Sequence, residues 1–188
     1  MSSKKVASTT PIKNSKASVA TIKPAAAADN ASLAMEGKRA PDFKLADADG
    51  KSVALKDLIG KRNLVLYFYP KDMTTGCTIE AHNFQRDQEL YTKRNAVVLG
   101  VSVDTPDSHK QFCTKEGLTF KLLADQEKKV TSAYGSLKTY APTVEMAARN
   151  TFIIDPSGKI VKVYTGVDPN KHSEEVIAAL DGLNKGGM

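Results

Sequence analysis

Cysteine is scarce in this chain, with only Cys77 and Cys113 among 188 residues. A structural zinc site usually takes four ligands, and a disulfide-stapled scaffold takes more sulfurs in a shorter chain, so neither organises this protein. There is no C-x-x-C pair of the reductase type and no phosphate-binding glycine run. No apolar stretch approaches the roughly 20 residues that a membrane span requires, which excludes membrane embedding. The three histidines, His82, His109 and His172, follow no zinc spacing and read as surface or helix-lining residues, so no metal is expected. Two sulfurs in a chain of this size fit an intracellular protein whose cysteines are either core filler or chemistry. Composition leaves both open.

What the chain does have is 41% hydrophobic residues and a formal charge of +6, enough apolar surface for one domain with a real core. The charge invites a nucleic-acid reading until it is divided along the chain. Lys4, Lys5, Lys13, Lys16 and Lys23 face only Asp29 before residue 36, so most of the excess lies there. Residues 1–36 are Ala, Ser, Thr and Lys with scattered Pro and no aromatics. Such a composition does not repay the entropy of ordering, and a disordered basic tail is expected ahead of a domain over 37–185. Lys23 and Pro24 interrupt its most apolar part, against a secretory signal. A cytoplasmic location is expected, with organelle or nuclear targeting by the tail left open. Nucleic-acid binding through the lysines is the weaker alternative.

Periodicity then places the elements. Asp42–Leu45 alternates as a strand, Asp47-Ala48-Asp49-Gly50 supplies a turn, and Ser52–Leu55 returns as its hairpin partner. Asn63–Tyr69 is nearly continuously apolar, as for a strand covered on both faces, and stops at Pro70. Cys77, Ala81, Phe84, Gln88 and Tyr91 step by four and three along one helical face, while Glu80, Arg86, Asp87 and Glu89 supply its polar surface. Ala96–Val103 is a further strand. Thr105 caps a helix over Pro106–Glu116 that ends at Gly117, with Phe112 and Cys113 toward its buried side. Phe120–Leu123 is a strand and Gln126–Tyr134 a short helix, while Ser136–Arg149 has no period and reads as loop. Asn150–Ile154 and Ile160–Tyr164 flank a turn, and a last helix carries Val176, Ile177, Leu180 and Leu183 as its apolar stripe. The order implies a central mixed β-sheet with helices on both faces and an N-terminal β-hairpin extension, of the α/β class.

The segment Pro70-Lys71-Asp72-Met73-Thr74-Thr75-Gly76-Cys77 joins a buried strand to an amphipathic helix. Cys77 in the first helical turn faces unpaired backbone N–H groups and the positive end of the helix, an arrangement that favours thiolate over thiol. The P-x-x-x-T-x-x-C pattern after a hydrophobic strand resembles the peroxiredoxins. The run YFYPKDMTTGCTIEAHNF, with GVSVDTPDSHKQF, FKLLAD and RNTFIIDPSGKI, is similar to their bacterioferritin-comigratory or Q-type branch. The resemblance implies a thioredoxin-like fold and reduction of hydrogen peroxide or organic hydroperoxides by Cys77. It implies that Thr74 donates or relays a hydrogen bond between sulfur and peroxide, and that Pro70 shields the sulfur. Arg149 would hold the thiolate and orient the peroxide, and Glu80 would position Arg149.

Many Q-type members carry a second cysteine five positions after the first, where this chain has His82. By resemblance to other members, Cys113 on the following helix is the resolving cysteine, and an end of one helix must unwind for the sulfurs to meet. A one-cysteine cycle with an external thiol is the alternative. Thioredoxin, or another thiol donor, is the implied reductant, and a monomer is implied more often than a dimer. A peroxide sensor or interaction protein of the same fold is the competing function, because its first oxidation step is identical.

Overall fold

The computed structural model describes residues 30–185. Among these residues nine strands form two sheets. The hairpin β1 (Lys44–Asp47) and β2 (Ser52–Ala54) joins the edge of a seven-stranded sheet in the order β2-β1-β5-β4-β3-β8-β9. At its centre β3 (Asn63–Phe68) runs parallel to β4 (Ala96–Ser102), which runs parallel to β5 (Lys121–Ala124). On the other side of β3 lies antiparallel β8 (Asn150–Ile154), followed by β9 (Ile160–Thr165). The expected mixed sheet with a terminal hairpin is therefore present.

Every residue of β3 is buried, because a central strand is covered on both faces. Its alternation divides the core in two. Leu64, Leu66 and Phe68 point into a cluster with Phe43, Leu55, Val130, Tyr134 and Phe152. Val65, Tyr67 and Tyr69 point the other way, into a cluster holding Phe84, Tyr91, Phe112, Val176 and Leu180. The second cluster lies under helices α1 (Thr75–Arg86), α2 (Gln88–Lys93), α3 (Pro106–Glu116) and α5 (His172–Lys185). The first is closed by α4 (Lys129–Ala133) and by chain from the N-terminal side. The cap of α3 forms as its sequence predicts: Thr105 Oγ1 accepts from Ser108 N at 3.2 Å, and Gly117 takes the left-handed φ of 65° that ends the helix.

Three expectations are corrected. Residues 136–149 are not a loop, since β6 (Leu137–Ala141) and β7 (Val144–Ala147) pair antiparallel as a separate ribbon. Its outer residues are exposed and carry no apolar alternation, which is why no strand period is visible. The helix beginning at Thr75 breaks at Asp87 into two pieces. Residues 30–36 are not a free tail either: Ser32 is buried, donates to the Tyr134 carbonyl at 3.0 Å and accepts from Asn150 Nδ2 at 3.0 Å. These polar bonds, invisible to an apolar-content argument, anchor the segment. The rest of the expected tail, residues 1–29, lies outside the described residues, among which no helix is long and apolar enough to cross a membrane.

Candidate functional site

β3 ends at Phe68 and the chain turns through residues 69–74 into α1, whose N-cap is Thr74. Cys77 thus occupies the third helical position and is 1% exposed. The register Phe68↔Asn150 sets Arg149, the residue entering β8, beside the same turn from the neighbouring strand. Arg149 Nη2 donates to Cys77 Sγ at 3.5 Å, and Nη1 donates to Glu80 Oε2 at 2.5 Å. One guanidinium fork therefore spans a sulfur and a carboxylate one helical turn apart. Gly76 makes the approach possible, since a Cβ there would lie 3.1 Å from Arg149 Nη2.

Electrostatics follow from burial. Glu80 is 1% exposed and its Oε1 has no hydrogen-bond partner among the described residues. Loss of solvation pushes its carboxyl up to about 7, although the charge and hydrogen bond of Arg149 pull the other way. Burial works against the charge of Arg149, yet Glu80 and Cys77 together raise it above the ordinary arginine value. The sequence placed Glu80 on the polar surface of its helix, and the structure buries it instead. An acid at that helical position is stable inside only because the guanidinium meets it there.

Thr74 is exposed, and its hydroxyl donates to the Lys71 carbonyl at 2.9 Å rather than to the helix or to Cys77. With its proton engaged there, the oxygen is left as an acceptor. Pro70 is half-buried at the end of the central strand. Cys113 is not brought to this constellation. Both cysteines are free, and the second lies on α3 outside disulfide distance of the first. The expected internal disulfide is therefore not available in this conformation, because each helix holds its own sulfur in place.

Of the histidines, His82 is exposed against Glu116, whereas His109 and His172 are fully buried. His172 Nε2 meets Thr151 Oγ1 at 2.7 Å, and burial lowers its proton affinity. His109 contacts Asp72. Sequence reasoning missed Gly76, Asp72 and His109. Gly76 had a signal, a glycine immediately before a cysteine in a first helical turn. The Asp72–His109 pair had none, because its members are far apart in the chain.

A family model described as the AhpC/TSA family matches residues 37–163, more than half of the chain. A protein of Helicobacter pylori named as a putative peroxiredoxin bcp is 42% identical over 147 residues, covering 77% of this chain and 96% of that protein. Among solved structures, peroxidoxin BcpB of Mycobacterium tuberculosis superposes with a TM-score of 0.75 at 28% identity, over 79% of this chain and 97% of the other. Peroxiredoxin Q of Xanthomonas campestris gives 0.70 at 35% identity, over 74% and 90%. The resemblance carried by the motif around Cys77 thus extends through the whole sheet and its helices. This chain belongs to the AhpC/TSA family of thiol-dependent peroxidases, close to the bacterioferritin-comigratory or Q-type peroxiredoxins.

Proposed function

We propose that Cys77 is the nucleophile of this peroxidase and that Arg149, Glu80, Thr74 and Pro70 form its site. The observation that carries the reading is the Arg149 fork, which holds the Cys77 sulfur and the buried Glu80 at the start of one helix. The Cys77 thiolate attacks one peroxide oxygen, the O–O bond breaks, and the departing oxygen leaves as alcohol or water after taking a proton. Cys77 becomes a sulfenic acid. Negative charge shifts from sulfur to the leaving oxygen, and a guanidinium already fixed by Glu80 stabilises it without reorganising. Thr74, whose hydroxyl donates to the Lys71 carbonyl, accepts from the peroxide O–H, and Pro70 limits access by water and bulky reagents.

The sulfenic acid then condenses with a thiol, releasing water, and a second thiol reduces the resulting disulfide. In the folded conformation the first of these thiols comes from an external donor, since Cys113 is out of reach. Thioredoxin, or another small dithiol protein, is the donor class. A second reading has one specific support. The Xanthomonas campestris protein has been solved with either of two cysteines replaced by serine, and those positions are separated by the same interval as Cys77 and Cys113. By that reading the ends of α1 and α3 unwind after oxidation and Cys113 resolves Cys77.

Donor-coupled peroxide consumption by wild type, Cys77→Ser and Cys113→Ser, with intact masses after one equivalent of peroxide, tests both. Turnover must vanish in Cys77→Ser; its persistence there refutes the assignment. Gain of one oxygen in wild type with full turnover in Cys113→Ser supports the external thiol. Loss of two hydrogens, abolished by Cys113→Ser, supports the internal disulfide.

A further inference from the structure

The turn between β3 and α1 is held from below by a buried polar network that the chemistry above does not use. Asp72 is 5% exposed and His109 is 0% exposed. Asp72 Oδ2 lies 2.8 Å from His109 Nδ1 and accepts from Ser108 Oγ at 2.7 Å. Its other oxygen accepts from the Tyr69 hydroxyl at 2.7 Å, and its backbone N–H donates to Asp104 Oδ2 at 2.9 Å. These bonds hold the Asp72 carboxyl below its ordinary value in spite of its burial. A buried carboxylate with this many donors is a fixed point of the chain.

Two features make its position informative. The next residue, Met73, is not glycine yet has φ 59°, a strained left-handed conformation that persists only where its surroundings enforce it. The bonded Asp72 stands immediately before it and Thr74 immediately after. At the other end of the bridge, His109 stands one helical turn before Cys113 on α3, so both lie on one side of that helix. The bridge therefore joins the turn that leads into Cys77 to the helix segment that bears Cys113.

We propose that Asp72 and His109 are positioning residues: their buried bridge clamps the 70–74 turn to α3, so that the peroxide site and the Cys113 turn open and close together. The part that concerns peroxide turnover rests on Cys77 being the nucleophile. The accessibility of Cys113 in the reduced chain does not, which keeps the two separable.

The test uses the full chain with His109→Phe, which fills the space without a donor, and His109→Asn, which retains one near the Nδ1 position. Three quantities are read: the rate of Cys77 oxidation by hydrogen peroxide, maleimide labelling of Cys113 in a Cys77→Ser background, and the urea midpoint. His109→Phe should slow oxidation about tenfold and speed Cys113 labelling about tenfold, with His109→Asn restoring both to within about threefold. Should His109→Phe fail to fold, Ser108→Ala removes another bond to Asp72 and should shift both rates the same way by a smaller factor. Labelling of Cys113 that stays at the wild-type rate, or rises only as far as the loss of urea stability requires, overturns the clamp. Faster labelling in His109→Phe, together with peroxide turnover that persists in Cys77→Ser, leaves the clamp standing and refutes the Cys77 assignment instead.

Discussion

Cys77 and Cys113 pack against the same apolar cluster but in opposite electrostatic settings. Cys77 sits at the start of a helix with a guanidinium donating to its sulfur. Cys113 sits near the end of one, its carbonyl accepting the capping N–H groups of Gly117 and Leu118. Burial pushes its thiol up to about 11, and Asp72, Asp49 and Asp47 add to the effect. Cys77 is the more deeply buried of the two, so depth is not what distinguishes them. The sign of the surrounding charge is, and helix polarity reinforces it at both sites.

Removing the cation is the strongest way to break this contrast. Arg149→Met should lower kcat/KM for hydrogen peroxide about a thousandfold in donor-coupled assays, and Arg149→Lys should recover only part because a point charge cannot span sulfur and carboxylate. A methionine variant within tenfold of wild type would mean that helix position alone activates Cys77. The next largest effect belongs to Cys113. Its thiolate fraction rises about tenfold per pH unit below a value near 11, so iodoacetamide labelling in a Cys77→Ser background should grow about a hundredfold from pH 7 to pH 9. A plateau below pH 9 would show that burial and the nearby acids do not hold this thiol up.

Glu80 sharpens the comparison, because it fixes the guanidinium that Cys113 lacks. Its folded value of about 7 lies above its ordinary 4.5. Its protonated form therefore favours the folded state: this stability is fully present below about 4.5 and is lost as pH rises through about 7, by about 3 kcal/mol at most. Activity moves the other way, since the ionised carboxylate is what fixes Arg149. Wild-type kcat/KM should rise through pH 7 while Glu80→Gln stays flat and about tenfold lower at pH 8. Urea midpoints of the glutamine variant should not fall over the same range. Parallel profiles for the two proteins would remove Glu80 from the site.

The legible parts of this molecule are those whose signal is local. The central strand is one apolar run, α3 has its cap and stop residues in sequence, and the turn from Pro70 to Cys77 is a contiguous motif. What was illegible depends on partners from elsewhere. From its helical period Glu80 looks like surface, and only the family resemblance pairs it with Arg149, which arrives from another strand. The 137–147 ribbon is held by its own backbone pairing, with residues too exposed to alternate. Ser32 orders residues 30–36 through bonds to Tyr134 and Asn150, which an argument from apolar content cannot count.

Gly76 carries the smallest effect and the most discriminating one. Its φ is not in the left-handed region, so alanine fits the backbone, and a helical Gly→Ala change stabilises by about 0.5–1 kcal/mol. The added methyl, however, would stand 3.1 Å from Arg149 Nη2 and 3.7 Å from Pro169 Cγ, tight enough to move the end of the guanidinium by a few tenths of an ångström. Gly76→Ala should therefore unfold at equal or higher urea concentration while losing several-fold in kcat/KM. Stability and activity separate only if the distance from guanidinium to sulfur sets the rate. Were both to fall together, the alanine would be straining the helix start as a whole, and the contrast between the two cysteines would rest on helix polarity rather than on Arg149.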